Sequence, residues 1–144
     1  YAQSLAKPDK SNQSAWMQLV EKPLHYGFVN PHDKLYVGIV LAQGGQIDAG
    51  TKLVSELVKS DRRYAEATET LSMIYEQTGK PALAVESRRI QIKYDPLNYQ
   101  AMYNLGQDLM ATGQKSEAVA IAKKIASFAP NTDEAKKSAA EFVL

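Results

Sequence analysis

The sequence predicts an all-α protein, a solenoid of stacked helical hairpins, on three observations. A skeleton recurs every 34 residues, with Gly45, Gly79 and Gly113 at its tight turn. Small residues recur in phase with those glycines: Gly38, Ser72 and Gly106 at one place, Gly50, Ala84 and Ala118 at another. Large apolar residues flank the first set, as Val37, Leu71, Leu105 and as Leu41, Tyr75, Leu109. Two antiparallel helices cross closely only where side chains leave room for the backbones, so one small residue per helix at a fixed register argues for a hairpin. A single hairpin cannot bury its apolar face, whereas a stack of them shares a continuous core.

Residues 1–30 read as a lead-in with a capping helix. The first thirteen are polar and carry Pro8; a short helix is expected over 14–21, ended by Pro23, with an ordered loop over 24–29. Trp16, Tyr26 and Phe28 are expected to lid the exposed end of the stack, because terminal repeats need a cap.

The first repeat, 31–64, opens at Asn30-Pro31-His32-Asp33. Asn is a good N-cap, Pro suits the first helical position, and Asp33 stands three residues after the cap. Its first helix should stop at Gly44-Gly45. The partner helix, 47–59, carries Leu53, Val54, Leu57 and Val58 on one stripe. The second repeat, 65–98, places Leu71, Ile74 and Tyr75 inward, opens its second helix at Pro81, and carries Leu83, Ala84, Val85 and Ile92 there. The third, 99–132, has Met102, Leu105, Leu109 and Met110, then Ala118, Val119, Ile121, Ala122 and Ile125. Asn131 to Glu134 should cap a last helix over 133–144.

Composition narrows the function. A chain of 144 residues with 44% hydrophobic and 23% charged residues is that of one folded domain, not of a disordered segment. The net charge of +1 gives no general attraction to nucleic acid. Zero cysteines exclude disulfides, thiolate metal sites and a cysteine nucleophile. The longest nearly apolar run, 36–42, is far short of the roughly 20 residues a membrane span needs. A start at Tyr1 rather than Met suits a processed product or a piece of a longer protein.

Catalytic and metal chemistry find little support. His25 and His32 stand seven apart with no clustered carboxylates, and a metal site needs three or four converging ligands. Nucleophile elbow, P-loop and paired-carboxylate motifs are missing from the sequence. The expectation is a non-enzyme that holds no cofactor or metal. The basic pairs Arg62-Arg63, Arg88-Arg89, Lys123-Lys124 and Lys136-Lys137 alternate with glutamates and are read as a solvated face.

The pattern of small residues at positions 8 and 20, large apolar ones at 7 and 11, glycine at 15 and proline at 32 of a 34-residue unit resembles the tetratricopeptide repeat. The stretch AMYNLGQDLMATGQKSEAV is similar to that family's consensus. The first repeat departs with Gly50 for Ala and Arg62 for Pro, and position 4 is Lys34, Thr68 or Met102 rather than Trp. The resemblance implies a right-handed α-solenoid whose first helices line a concave groove for a protein or peptide segment. Carried over position by position, it implies groove residues Leu35, Tyr36 and Ile39, then Glu66, Glu69, Met73 and Glu76, then Tyr103, Asn104 and Gln107. The carboxylate clamp of chaperone-binding members is not matched: Leu35, Ile39 and Thr70 stand where its Lys and Asn residues would.

The phrases FVNPHDKLYVGIVLAQGGQIDAG and KKIASFAPNTDEAKKSA further resemble the soluble C-terminal tail of bacterial O-antigen ligase/polymerase-like membrane proteins. That likeness implies tethering to a membrane through a parent protein only. The competing expectation is a purely structural domain that packs on its parent or on itself.

Overall fold

The structure is a computed structural model and describes residues 13–128. Among these the chain is helical, with α3 Pro31–Gln43, α4 Ile47–Ser60, α5 Ala65–Gln77, α6 Pro81–Tyr94, α7 Tyr99–Ala111 and α8 Lys115–Phe128 after an N-terminal helical run. First helices of 13 residues alternate with second helices of 14. The helices pack on their neighbours in sequence, α3 on α4, α6 on α7 and α7 on α8. The expected capping helix over 133–144 and the lead-in over 1–12 lie outside the described residues.

Each hairpin turn is the same hydrogen-bonded device. Gln46 N–H donates to Leu41 C=O at 2.8 Å and Gly45 N–H to Ala42 C=O at 3.2 Å. Lys80 to Tyr75 (2.8 Å) with Gly79 to Glu76 (3.3 Å), and Gln114 to Leu109 (2.8 Å) with Gly113 to Met110 (3.1 Å), repeat the pair. These nested 6→1 and 5→2 bonds are Schellman motifs, which satisfy the last carbonyls of the helix and need a left-handed residue at their centre. Gly45, Gly79 and Gly113 supply it with φ of 91°, 72° and 79°.

The connections between hairpins repeat too. Tyr64 N–H donates to Asp61 C=O and Asn98 N–H to Asp95 C=O, both at 3.2 Å. Asp61 (φ −145°, ψ 97°) and Asp95 (φ −138°, ψ 73°) share one extended conformation. Arg62 therefore stands in for Pro96 without changing the turn, and the Asp61 carboxylate adds a bond from Arg63 N–H at 2.9 Å.

The N-terminal run departs from expectation. Pro23 does not end the helix: α1 Gln13–Trp16 passes through a π-helical turn, Met17–Glu21, into α2 Lys22–Tyr26. Lys22 N–H bonds back to Met17 C=O, five residues away. The wider turn sits just before the proline, whose ring and missing N–H an unbroken α-helical ladder would not accept at an interior position. Residues 24–26, expected as loop, are thus helical.

The chain forms two compact units, Tyr1–Leu71 and Ser72–Leu144, with the boundary inside α5. In the first, Val20, Val37, Leu41 and Leu53 form a buried cluster against which Trp16 and Phe28 pack. Those two aromatics do cover α3. Tyr26 does not: it is 82% exposed, its ring held edge-on by His25 at 4.6 Å. In the second unit, Val85, Leu105, Leu109 and Ala118 form one buried cluster and Met102, Ala122 and Ile125 another, with Ile92 and Ile121 packed against both. Leu83 and Met110, apolar residues of α6 and α7, are each 40% exposed.

Candidate binding face and a buried ion cluster

Asn30 holds the start of α3 as expected, its side chain accepting from His32 N–H at 2.8 Å. On α3 the expected groove residues separate. Leu35 is buried in the first unit, whereas Tyr36 and Ile39 are half-buried. Leu35 is therefore core and not available to a ligand. Tyr36 packs on Val40 alongside Ala15 of the N-terminal run. Glu66 is exposed and Glu69 half-buried.

In the second unit Met73 is 43% exposed on α5. On α7, Tyr103, Asn104 and Gln107 share one face, as the spacings of four from Tyr103 to Gln107 and three from Asn104 to Gln107 dictate. Gln107 Nε2 donates to the Tyr103 hydroxyl at 3.1 Å, and Gln100 Nε2 to Asn104 Oδ1 at 3.1 Å. The Tyr103 ring packs on the cluster of Met102, Ala122 and Ile125, which fixes the base of this row. The outcome is a line of amides and a phenol along one helix, joined in two hydrogen-bonded pairs.

Glu76 has another role than the one expected. Arg88 Nε and Nη2 donate to its two carboxylate oxygens at 2.8 and 3.0 Å, and Arg88 Nη1 donates to Gln91 Oε1 at 2.9 Å. The Arg88 residue is fully buried, so the reading of the Arg88-Arg89 pair as a solvated face fails for its first member. Arg89 keeps to the exposed face, its Nη2 donating to both Glu117 carboxylate oxygens at 2.8 and 2.9 Å. A forked guanidinium matched to a carboxylate is the geometry in which a buried arginine is tolerated.

Asp108 on α7 completes the cluster. It is 7% exposed, and its Oδ2 is buried without a hydrogen-bond partner. Burial, the charge of Glu76 and a hydrogen bond shared with that carboxylate push Asp108 up to about 7, against the pull of Arg88. The signal for this cluster lay in the register. Arg88 corresponds to Val54 and Ala122, Gln91 to Leu57 and Ile125, and Asp108 to Val40 and Ile74, all apolar and buried. Polar residues at positions that are core in the other repeats mark a polar network in the middle of the array.

Among the described residues no group of three or more His, Asp or Glu side chains is placed to hold a metal ion. His32 instead meets the Tyr64 hydroxyl at 3.5 Å. No described helix is long and apolar enough to cross a membrane.

No family model matches the chain. The BBSome complex member BBS4 homolog of Drosophila melanogaster is 27% identical over 89 residues, 62% of this chain and 18% of that protein. The chain thus spans under a fifth of that relative's length. Among solved structures, MamA AMB-1 superposes with a TM-score of 0.68 at 22% identity, covering 98% of this chain and 76% of that one. MamA MSR-1 superposes with a TM-score of 0.65 at 21% identity, covering 98% and 80%. At these identities the likeness is one of fold, and the fold is an array of helical hairpins of the tetratricopeptide type.

Proposed function

We propose that the chain is a non-catalytic protein-interaction module that takes a peptide or protein segment along its first helices. The observation that carries this is the α7 row. Gln100 and Gln107 are exposed, Tyr103 and Asn104 half-buried, and the four lie on one face with donors and acceptors spaced along the helix. An extended backbone offers the matching groups, and a tyrosine anchored at its ring supplies the contact area that dominates many interfaces. Met73, exposed on α5 in the same unit, is assigned to the same role. The fold shared with MamA and the likeness to a BBSome complex member support an assembly role.

Glu76 is paired with Arg88 and is assigned no part in binding. The test is capture from native membranes or lysate by parent protein and by Tyr103→Ala/Asn104→Ala, both shown folded by their helical signal. Loss of a partner in the double variant supports the row; equal retention of every partner overturns it.

The same proposal includes a larger bacterial parent of the O-antigen ligase/polymerase-like kind, on the sequence phrases quoted above. The full reading frame tests it: many hydrophobic segments upstream support it, and none removes it. A structural role is the second reading, favoured by Leu24, Tyr26 and Val29, which are 46%, 82% and 103% exposed near the end of α2. Light scattering that shows a dimer lost in Tyr26→Ser/Val29→Ser supports that reading, and a monomer at high concentration counts against self-association.

A further inference from the structure

We propose that Glu76, Arg88 and Asp108 form a proton-operated lock on the packing of α7 against α6. Two carboxyl groups share one buried guanidinium, and the bidentate pairing of Arg88 is already spent on Glu76. With one proton on the carboxyl pair the cluster is neutral. Without it a negative charge remains at a residue that is 7% exposed and has an oxygen with no hydrogen-bond partner. A buried charge of that kind is costly unless it is paired.

Among the described residues the surroundings offer no second cation. Asp108 is the sole ionisable carboxylate or base that α7 carries apart from its tyrosines. From α5 the facing group is Glu76, and from α6 it is Arg88 beside the neutral Gln91. The remaining charged residues of α6, Glu86, Arg89 and Lys93, are exposed. On α8, which also packs on α7, Lys115, Glu117, Lys123 and Lys124 are exposed, and Glu117 is held by Arg89. The equivalent positions Val40 and Ile74 show that plain packing requires no carboxyl here. Asp108 makes that packing depend on a proton, and its raised affinity for the proton places the change near neutrality.

The sign follows from linkage. The folded state holds the proton more tightly than the unfolded state, so stability is fully present below the ordinary carboxyl range and is lost as pH rises through about 7. Over the interval between the two values the folding equilibrium constant falls about tenfold per pH unit. If the α7 row binds as proposed above, the lock also governs that row; the folding test does not rest on that reading.

The experiment compares urea unfolding of parent and Asp108→Asn from pH 5 to 9, with carboxyl 13C shifts of Asp-labelled parent protein over the same range. The parent's folding equilibrium constant is expected to fall about a hundredfold between pH 5 and 8 relative to the variant, which cannot release the proton. The Asp108 carboxyl signal is expected to titrate near 7. Parallel pH profiles for the two proteins, or an Asp108 signal that titrates near 4, overturn the lock. If Asp108→Asn does not fold, Asp108→Ile, the counterpart of Ile74, replaces it and the carboxyl titration of the parent decides alone.

Discussion

A side chain on Gly50 would collide with the backbone of Gly38: its Cβ would press on the Gly38 carbonyl oxygen and stand 2.7 Å from the Ala42 amide nitrogen. The reverse also holds, since a Cβ on Gly38 would stand 2.8 Å from Val54 Cγ2 and 3.2 Å from the Gly50 carbonyl oxygen. The α3–α4 crossing is therefore built on two glycines, where the second hairpin has Ser72 and Ala84.

Gly50→Ala tests that crossing. Inside an exposed helix the change would gain about 1 kcal/mol of propensity. Here the obstacle is backbone, which cannot swing aside like a flexible side chain, and overpacking costs about 1–3 kcal/mol or more. A lower urea midpoint is expected; a higher midpoint would show that α3 and α4 are not in this contact.

Ala118→Leu overpacks the corresponding crossing in the third repeat. Ala118 is fully buried against Val85, Leu105 and Leu109. A loss of about 1–3 kcal/mol is expected. Melting within a degree or two of the parent would mean that the repeat register is wrong.

Arg88 separates the worth of a buried ion pair from the harm of breaking it. Arg88→Ala leaves Glu76 and Asp108 without their cation and should cost about 3–5 kcal/mol. Replacing Glu76, Arg88, Gln91 and Asp108 together by the counterparts Ala, Val, Leu and Ile should cost less than that single change, because apolar packing serves at these positions in the other repeats. Chemical denaturation of both variants decides; a quadruple variant less stable than Arg88→Ala contradicts the assignment.

Lys34 and Glu56 give a pH effect of opposite sign to that of Asp108. Their ends meet at 2.8 Å, and the hydrogen bond from Lys34 holds the Glu56 carboxyl below its ordinary value. Its contribution is present above the usual glutamate range and is lost as pH falls through the folded value. Both side chains are partly exposed, at 23% and 42%, so the contribution stays below about 1 kcal/mol. Lys34→Met should flatten the acid limb of the stability curve slightly and leave the neutral limb unchanged, as read by urea midpoints at pH 3, 5 and 7.

Much of this architecture was legible because glycine and proline report backbone geometry directly. Gly45, Gly79 and Gly113 announced three left-handed turns, and Asn30-Pro31 announced a helix start that its side chain caps. Pro23 misled for the same reason: a single sequence shows a missing N–H but not the π-turn that accommodates it. Arg88 misled because charge is a surface signal residue by residue, whereas its burial depends on Glu76, twelve residues away on another helix. Leu35 looked groove-facing only by family position; its burial is set by packing within the first unit. The α7 residues Tyr103, Asn104 and Gln107 likewise came from family position, and the pairing of Glu76 with Arg88 was not legible.

The most direct test of the binding reading is site-specific photo-crosslinking. A benzoylphenylalanine at position 103 on α7 is compared with one at position 89, where Arg89 lies half-exposed on α6. The account predicts that the probe at 103 crosslinks a protein partner from the native extract and that the probe at 89 does not. Crosslinking from 89 alone, or equally from both, would contradict it.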